Sequence, residues 1–154
     1  MRLPRIDDAI EVCEKHLQSS KAVGTEIEAF LTRYLMVLMC AGFEQTIEDL
    51  VSARVAKSQD GALASFVRSA MGQVFRSVKT SEIAGLLGRF GQEHKRCFQD
   101  EMKKNERAET FFNNIVTNRH DTVHASGSYL TFSELVRFYS EGHVVLDAVK
   151  TALE

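Results

Sequence analysis

Apolar positions recur every three or four residues along most of the chain and almost nowhere alternate as a half-buried strand requires. Leu3, Ile6, Ile10, Cys13 and Leu17 carry this period through a short first helix that ends near "SSKAVG". Thr25 and Glu28 have the spacing of a capping box. Beyond them Ile27, Phe30, Leu31, Tyr34, Leu38, Ala41, Ile47, Leu50, Val51 and Val55 predict a long second helix. Unbroken to about Ser58 it would reach about 50 Å at 1.5 Å per residue. Such a helix is expected to bend, with Gly42 as the candidate position, or to project into an interface. Leu63, Phe66, Val67, Ala70, Val74 and Phe75 predict a third helix. "KTSEIAGLLGRFG" reads as a short capped helix stopped by Gly91, and "HKRCFQDEMKKNER" as a charged helix or loop. "AETFFNNIVTNRHDTVHASG" starts another helix, with Phe111, Phe112, Ile115 and Val116 facing inward and Gly127 as its stop. A second capping box, Thr131 with Glu134, opens the last helix. There Phe132, Leu135, Tyr139, Gly142, Leu146, Val149 and Leu153 fall on one seam.

This pattern predicts an all-α, up-and-down helical bundle with additional short helices, forming a single domain over residues 1–154. The length of 154 residues, with 44% hydrophobic and 26% charged positions, suits an ordinary globular domain and needs no linker or repeat. The charged N-terminus has no apolar leader, and the longest apolar run, "FLTRYLMVLMCAGF", is interrupted by Arg33. A cytoplasmic chain with no membrane contact is expected. Cys13, Cys40 and Cys97 are odd in number and far apart, as in reduced structural thiols. With a net charge of −2 no global field draws in nucleic acid, so any anionic ligand must be held by local charges. Between Ala64 and Arg107 basic residues outnumber acidic ones, among them Arg68, Arg76, Lys79, Arg89, Lys95, Arg96, Lys103 and Lys104. They form either a solvated face or part of a cleft.

The densest polar chemistry lies in "NRHDTVHASG", residues 118–127. Three readings fit it. His120 and His124 are i and i+4 on a helix, as in a zinc-binding H-D-x-x-H, with Glu134, Glu141 or His143 as a third ligand. Alternatively, cationic residues simply complement the C-terminal end of a helix dipole. In the third, Arg119 and His124 act as a ribonuclease pair. The arginine is a permanent planar cation for a phosphate. The histidine, with an unperturbed pKa of about 6.5, exchanges a proton with a ribose 2′-hydroxyl or a leaving oxygen. RNA brings its own nucleophile, so this chemistry needs no metal and no cofactor. Arg89 with His94 and Arg137 with His143 have similar spacings. Six residues of a helix turn the second pair about 240° apart, and Gly91 breaks the first. Only the 119–124 pair leaves an amphipathic helix into small residues that make room for a ligand.

"NRHDTVHASG" resembles the R-x4-6-H signature of the HEPN superfamily, in which a polar residue follows the arginine, as His120 does here. "YLMVLMCAGFEQTIEDLV" is similar to the long helix that carries an acidic residue in toxin-like members, a place Glu44 would take. "SEIAGLLGRFG" and "YLTFSELVRFYSEGHVVLDAVKTAL" resemble the matching segments of the RiboL-PSP-HEPN-like branch. The resemblance implies a bundle that dimerises with its motifs at a shared cleft and cleaves RNA without metal, often as a toxin or defence ribonuclease. Arg119 would stabilise the phosphate and His124 would be the acid and base. His120, Glu44, Asn118 and Asp121 would be auxiliary. The partners implied are RNA, a second copy of the chain and a cognate antitoxin protein. The alternative within the family is a non-catalytic domain that binds nucleotide, RNA or a partner protein.

Overall fold

Each stretch of helical period becomes a helix. The computed structural model describes residues 1–75, 77–123 and 130–154, with residues 120–123 described by their backbone alone. Among these residues there is no strand, and the helices are α1 (Pro4–Ser19), α2 (Glu26–Ala56), α3 (Gly61–Val74), α4 (Thr80–Gly88), α5 (Gln92–Lys104), α6 (Glu106–Val123), α7 (Phe132–Gly142) and α8 (Val144–Leu153). This is the all-α bundle that the apolar period predicts. No helix of the described residues is long and apolar enough to cross a membrane.

Pro4 starts α1 where its missing N–H costs nothing, and Ile6, Ile10, Cys13 and Leu17 bury one face on α2. The central element is α2. Its 31 residues run unbroken through Gly42, about 46 Å in all. The helix is not interrupted at Gly42, which is the point where α1 crosses; a Cβ there would lie 2.9 Å from the Ile6 Cδ1. Leu35, Met36, Met39, Cys40, Phe43, Ile47 and Val51 form the buried face of α2. A second stripe, Ile27, Phe30, Tyr34 and Val37, is exposed. The sequence pattern ran these two stripes together as one.

The expected capping box at Thr25 does not form. The Thr25 hydroxyl donates backward to the Ala22 carbonyl at 2.6 Å. Glu28 accepts from the Gly24 N–H at 2.6 Å and from the Phe132 N–H at 3.3 Å, which brings the start of α7 to the start of α2. The box at Thr131 and Glu134 is complete. The charged segment after Gly91 is a helix, α5, because Phe98 and Met102 give it one buried edge.

Packing against α2 on its far side, α6 buries Phe112, Ile115 and Val116. The Phe43 ring stacks on Phe112 at 4.6 Å and lies 6.3 Å from Tyr139, whose hydroxyl accepts the Leu3 N–H at 2.8 Å. The last predicted helix is two helices, α7 and α8, divided at His143. Gly142 lets α7 approach so closely that a Cβ would meet the Phe112 backbone N at 3.0 Å. Polar bonds also anchor α6. Asn113 accepts the Thr80 N–H at 3.0 Å, and Glu109 accepts the Thr80 hydroxyl at 2.7 Å.

Candidate active site

Two antiparallel helices build the site. Phe43 on α2 meets Phe112 on α6, and Cys40, one turn earlier on α2, feels the charge of Arg119, two turns later on α6. The Cys40 thiol is buried, and burial pushes its pKa up to about 12; the Arg119 cation pulls it down and the Glu44 carboxylate pushes it up by less. At neutral pH Cys40 is therefore a protonated, apolar wall and no nucleophile. Glu44 is exposed, one turn on from Cys40 and about 40° around α2. Arg119 on α6 and Glu44 on α2 thus act electrostatically on the same buried thiol.

Arg119 is half-buried and forms no hydrogen bond or ion pair among the described residues. A planar, permanently charged fork without a carboxylate partner is suited to an anion from outside. The Asn118 amide donates to the Asn114 carbonyl of its own helix at 2.8 Å. The side chains of His120 and Asp121, and all of His124, lie outside the described residues.

The competing Arg–His pairs are held by the fold. His94 Nδ1–H donates to the Ala152 carbonyl at 2.6 Å, joining α5 to α8, while Arg89 caps the end of α4. Arg137 lies 5.5 Å from the centres of both the Phe111 and Phe138 rings, and His143 Nδ1–H donates to the Tyr139 carbonyl at 3.1 Å. The third ligands considered for a zinc site are likewise engaged: Glu134 in its capping box, Glu141 with Arg107 at 2.8 Å, and His143 as just described. Of the basic stretch, Lys103 pairs with Asp100 at 2.9 Å and Lys104 with Glu101 at 2.6 Å, both within α5. Those two lysines are a neutralised surface.

Two features of the site take their place only in the structure. Arg33 on α2 stacks on Phe30, 5.3 Å from the ring centre, and its buried Nε has no hydrogen-bond partner among the described residues. Leaving such a donor unpaired costs about 1–3 kcal/mol. Beside it runs the exposed stripe. Ile27, Phe30, Tyr34 and Val37 are exposed by 46%, 62%, 57% and 49%, and exposed Ala41 continues the line toward Glu44. The 3-4-3-4 spacing of these positions was the available signal; it is that of a helix seam packed on another helix.

A family model described as RiboL-PSP-HEPN matches residues 2–154. The comparisons with curated proteins and with solved structures give no match.

Proposed function

The chain belongs to the RiboL-PSP-HEPN family, and from that premise we propose that it is a metal-independent endoribonuclease that works as a two-fold homodimer. The observation that carries the reading is Arg119: a cation with no ion-pair partner among the described residues, near the end of the helix that leads into His124. Arg119 holds the scissile phosphate and stabilises the charge it gains in the transition state. His124 takes the proton of the ribose 2′-hydroxyl or returns one to the leaving 5′-oxygen. The 2′-oxygen attacks phosphorus, the bond to the 5′-oxygen breaks, and the products are a 2′,3′-cyclic phosphate and a 5′-hydroxyl. His120, Asp121, Asn118 and Glu44 are auxiliary groups that orient these two.

The exposed stripe of α2 supports the dimer. One arginine and one histidine grip a polyanion weakly, whereas two copies across an axis make one cationic cleft. An apolar helix face of this length is covered by a partner more often than by water. A toxin or defence role, with an antitoxin protein as a further partner, follows from the family resemblance alone.

Cleavage of single-stranded RNA in EDTA is the test. Wild type should cut RNA and leave DNA intact, and Arg119→Ala and His124→Ala should each remove most of the rate. Full activity in both variants would overturn the assignment. Dependence on zinc would restore the H-D-x-x-H reading, and RNA binding without cleavage would make the chain a non-catalytic member.

A further inference from the structure

Arg33 precedes Cys40 by two turns of α2 and Glu44 by three, and lies within about 20° of each around the helix. These residues form one line on α2, and Cys40 within it lies in the electrostatic reach of Arg119 on α6. Because the two helices are antiparallel, Arg33 sits on the far side of Arg119 from the Phe43–Phe112 stack. No carboxylate pairs with it among the described residues. Its guanidinium carbon lies 5.3 Å from the centre of the Phe30 ring, which belongs to the exposed stripe.

We propose that Arg33 is a second phosphate-binding residue of the same cleft, taking a phosphate next to the one that Arg119 holds. This rests on the ribonuclease reading and adds to it a subsite that sets how the RNA strand lies along α2. The chain is acidic overall, so a polyanion is held only where local cations stand uncompensated. Arg119 and Arg33 are two such cations, on the neighbouring helices α6 and α2. Arg33 is half-buried and has no carboxylate partner among the described residues, so its charge is left for a phosphate oxygen, and the Phe30 ring beside the guanidinium favours the cation. The role is binding and positioning; the reacting atoms are at Arg119 and His124.

The test compares Arg33→Gln and Arg33→Lys with wild type. In the His124→Ala background, binding of a fluorescein-labelled single-stranded RNA should weaken about tenfold or more in Arg33→Gln. The slope of log K against log salt should fall by about 0.7, as for one lost phosphate contact to a single strand. In the active chain the same change should raise KM much more than it lowers kcat, and Arg33→Lys should recover part of the loss. An RNA with a methylphosphonate beside the scissile linkage should bind wild type less tightly but make no further difference to Arg33→Gln. Unchanged KM and salt slope, with Arg119→Ala and His124→Ala inactive, would overturn the Arg33 subsite alone. Loss of the dimer in sedimentation with an unchanged salt slope would make Arg33 an interface residue, again against the proposal. If Arg119→Ala and His124→Ala stay fully active, it is the ribonuclease reading that fails.

Discussion

Replacing Tyr34 by glutamate attacks the proposed interface at the middle of the exposed stripe, and the structure sets the size of the effect. An aromatic side chain carries about 150–250 Å², so with 57% of it exposed Tyr34 offers roughly 85–140 Å² to a partner. At about 25 cal/mol per Å² its full burial is worth about 2–3.5 kcal/mol per copy, and a symmetric dimer counts it twice. Incomplete burial and the cost of ordering the interface remove a large share. If half survives, the dimer loses about 2–3.5 kcal/mol, a rise of about 30- to 300-fold in its dissociation constant. Two glutamates close to the axis repel one another and add to this. The monomer itself should be unharmed, because Tyr34 is an exposed residue and such changes cost within about 0.5 kcal/mol. Sedimentation equilibrium over the micromolar range reads the outcome. Wild type should run near twice 17.3 kDa, and Tyr34→Glu should shift toward the monomer with unchanged helicity. Val12→Glu, at an exposed position on α1 outside the stripe, serves as control and should leave the dimer intact. Cleavage per chain should fall with the fraction of dimer. A wild-type mass of 17.3 kDa throughout, or an undisturbed dimer in Tyr34→Glu, would refute the reasoning.

Two glycines should respond to alanine with opposite signs in urea unfolding. Gly85, inside α4 with nothing within 4 Å of an added Cβ, should gain about 0.5–1 kcal/mol. Gly142, whose Cβ would press on the Phe112 backbone at 3.0–3.2 Å, should lose about 1–3 kcal/mol, since backbone cannot swing aside as a side chain does. A Gly142→Ala chain as stable as wild type would show that α7 and α6 separate without cost. Burial raises the Cys40 thiol to about 12, so the neutral thiol is the form the fold favours. Its contribution is complete below the unfolded-state value of about 8.5 and is lost as pH climbs toward 12. Under native conditions at pH 8 iodoacetamide should modify exposed Cys97 and spare Cys40 and Cys13; rapid labelling at Cys40 would contradict the closed wall beside Arg119. Cys40→Ala should lose less stability than wild type between pH 8 and pH 11.

Helix identity was legible because it depends on local period, and the places where the reading failed are those where a distant partner decides. Thr25 and Glu28 have the spacing of a capping box, yet the glutamate is taken by the Phe132 N–H more than a hundred residues away. The apolar seam from Phe132 to Leu153 runs on at helical spacing without sign of a division. Only the close approach of Gly142 to Phe112 marks where α7 gives way to α8. Gly42 carries the same lesson in reverse. A glycine in a long helix suggests a bend, but this one admits Ile6 from α1.

The candidate site could be singled out from sequence in proportion to how much of it lies on one stretch of chain. Arg119 and His124 are neighbours in sequence, so spacing and the small residues after them were enough to single them out. Their two competitors could be set aside by weak geometric arguments, which the contacts of His94 and His143 with backbone carbonyls now replace by specific structural roles. Arg33 is a different case. In the sequence it only interrupts an apolar run, and an arginine there reads as a residue that keeps a helix out of a membrane. The subsite proposed for it depends on α6 lying antiparallel to α2, so that Arg119 comes within electrostatic reach of Cys40, on the line of α2 that also carries Arg33. The surplus of apolar positions beside it was visible in the run from Tyr34 to Cys40, but not which of them stay outside. Periodicity counts apolar positions but does not say which stripe faces the chain's own core. On α2 two stripes satisfy the same period, one from Leu35 to Val51 inside and one from Ile27 to Ala41 outside. A helix that needs only one buried face to fold and carries two has a second use for the other. That surplus, lying directly against the Arg33–Glu44 line, is the physical reason to look for cleft and interface in the same place.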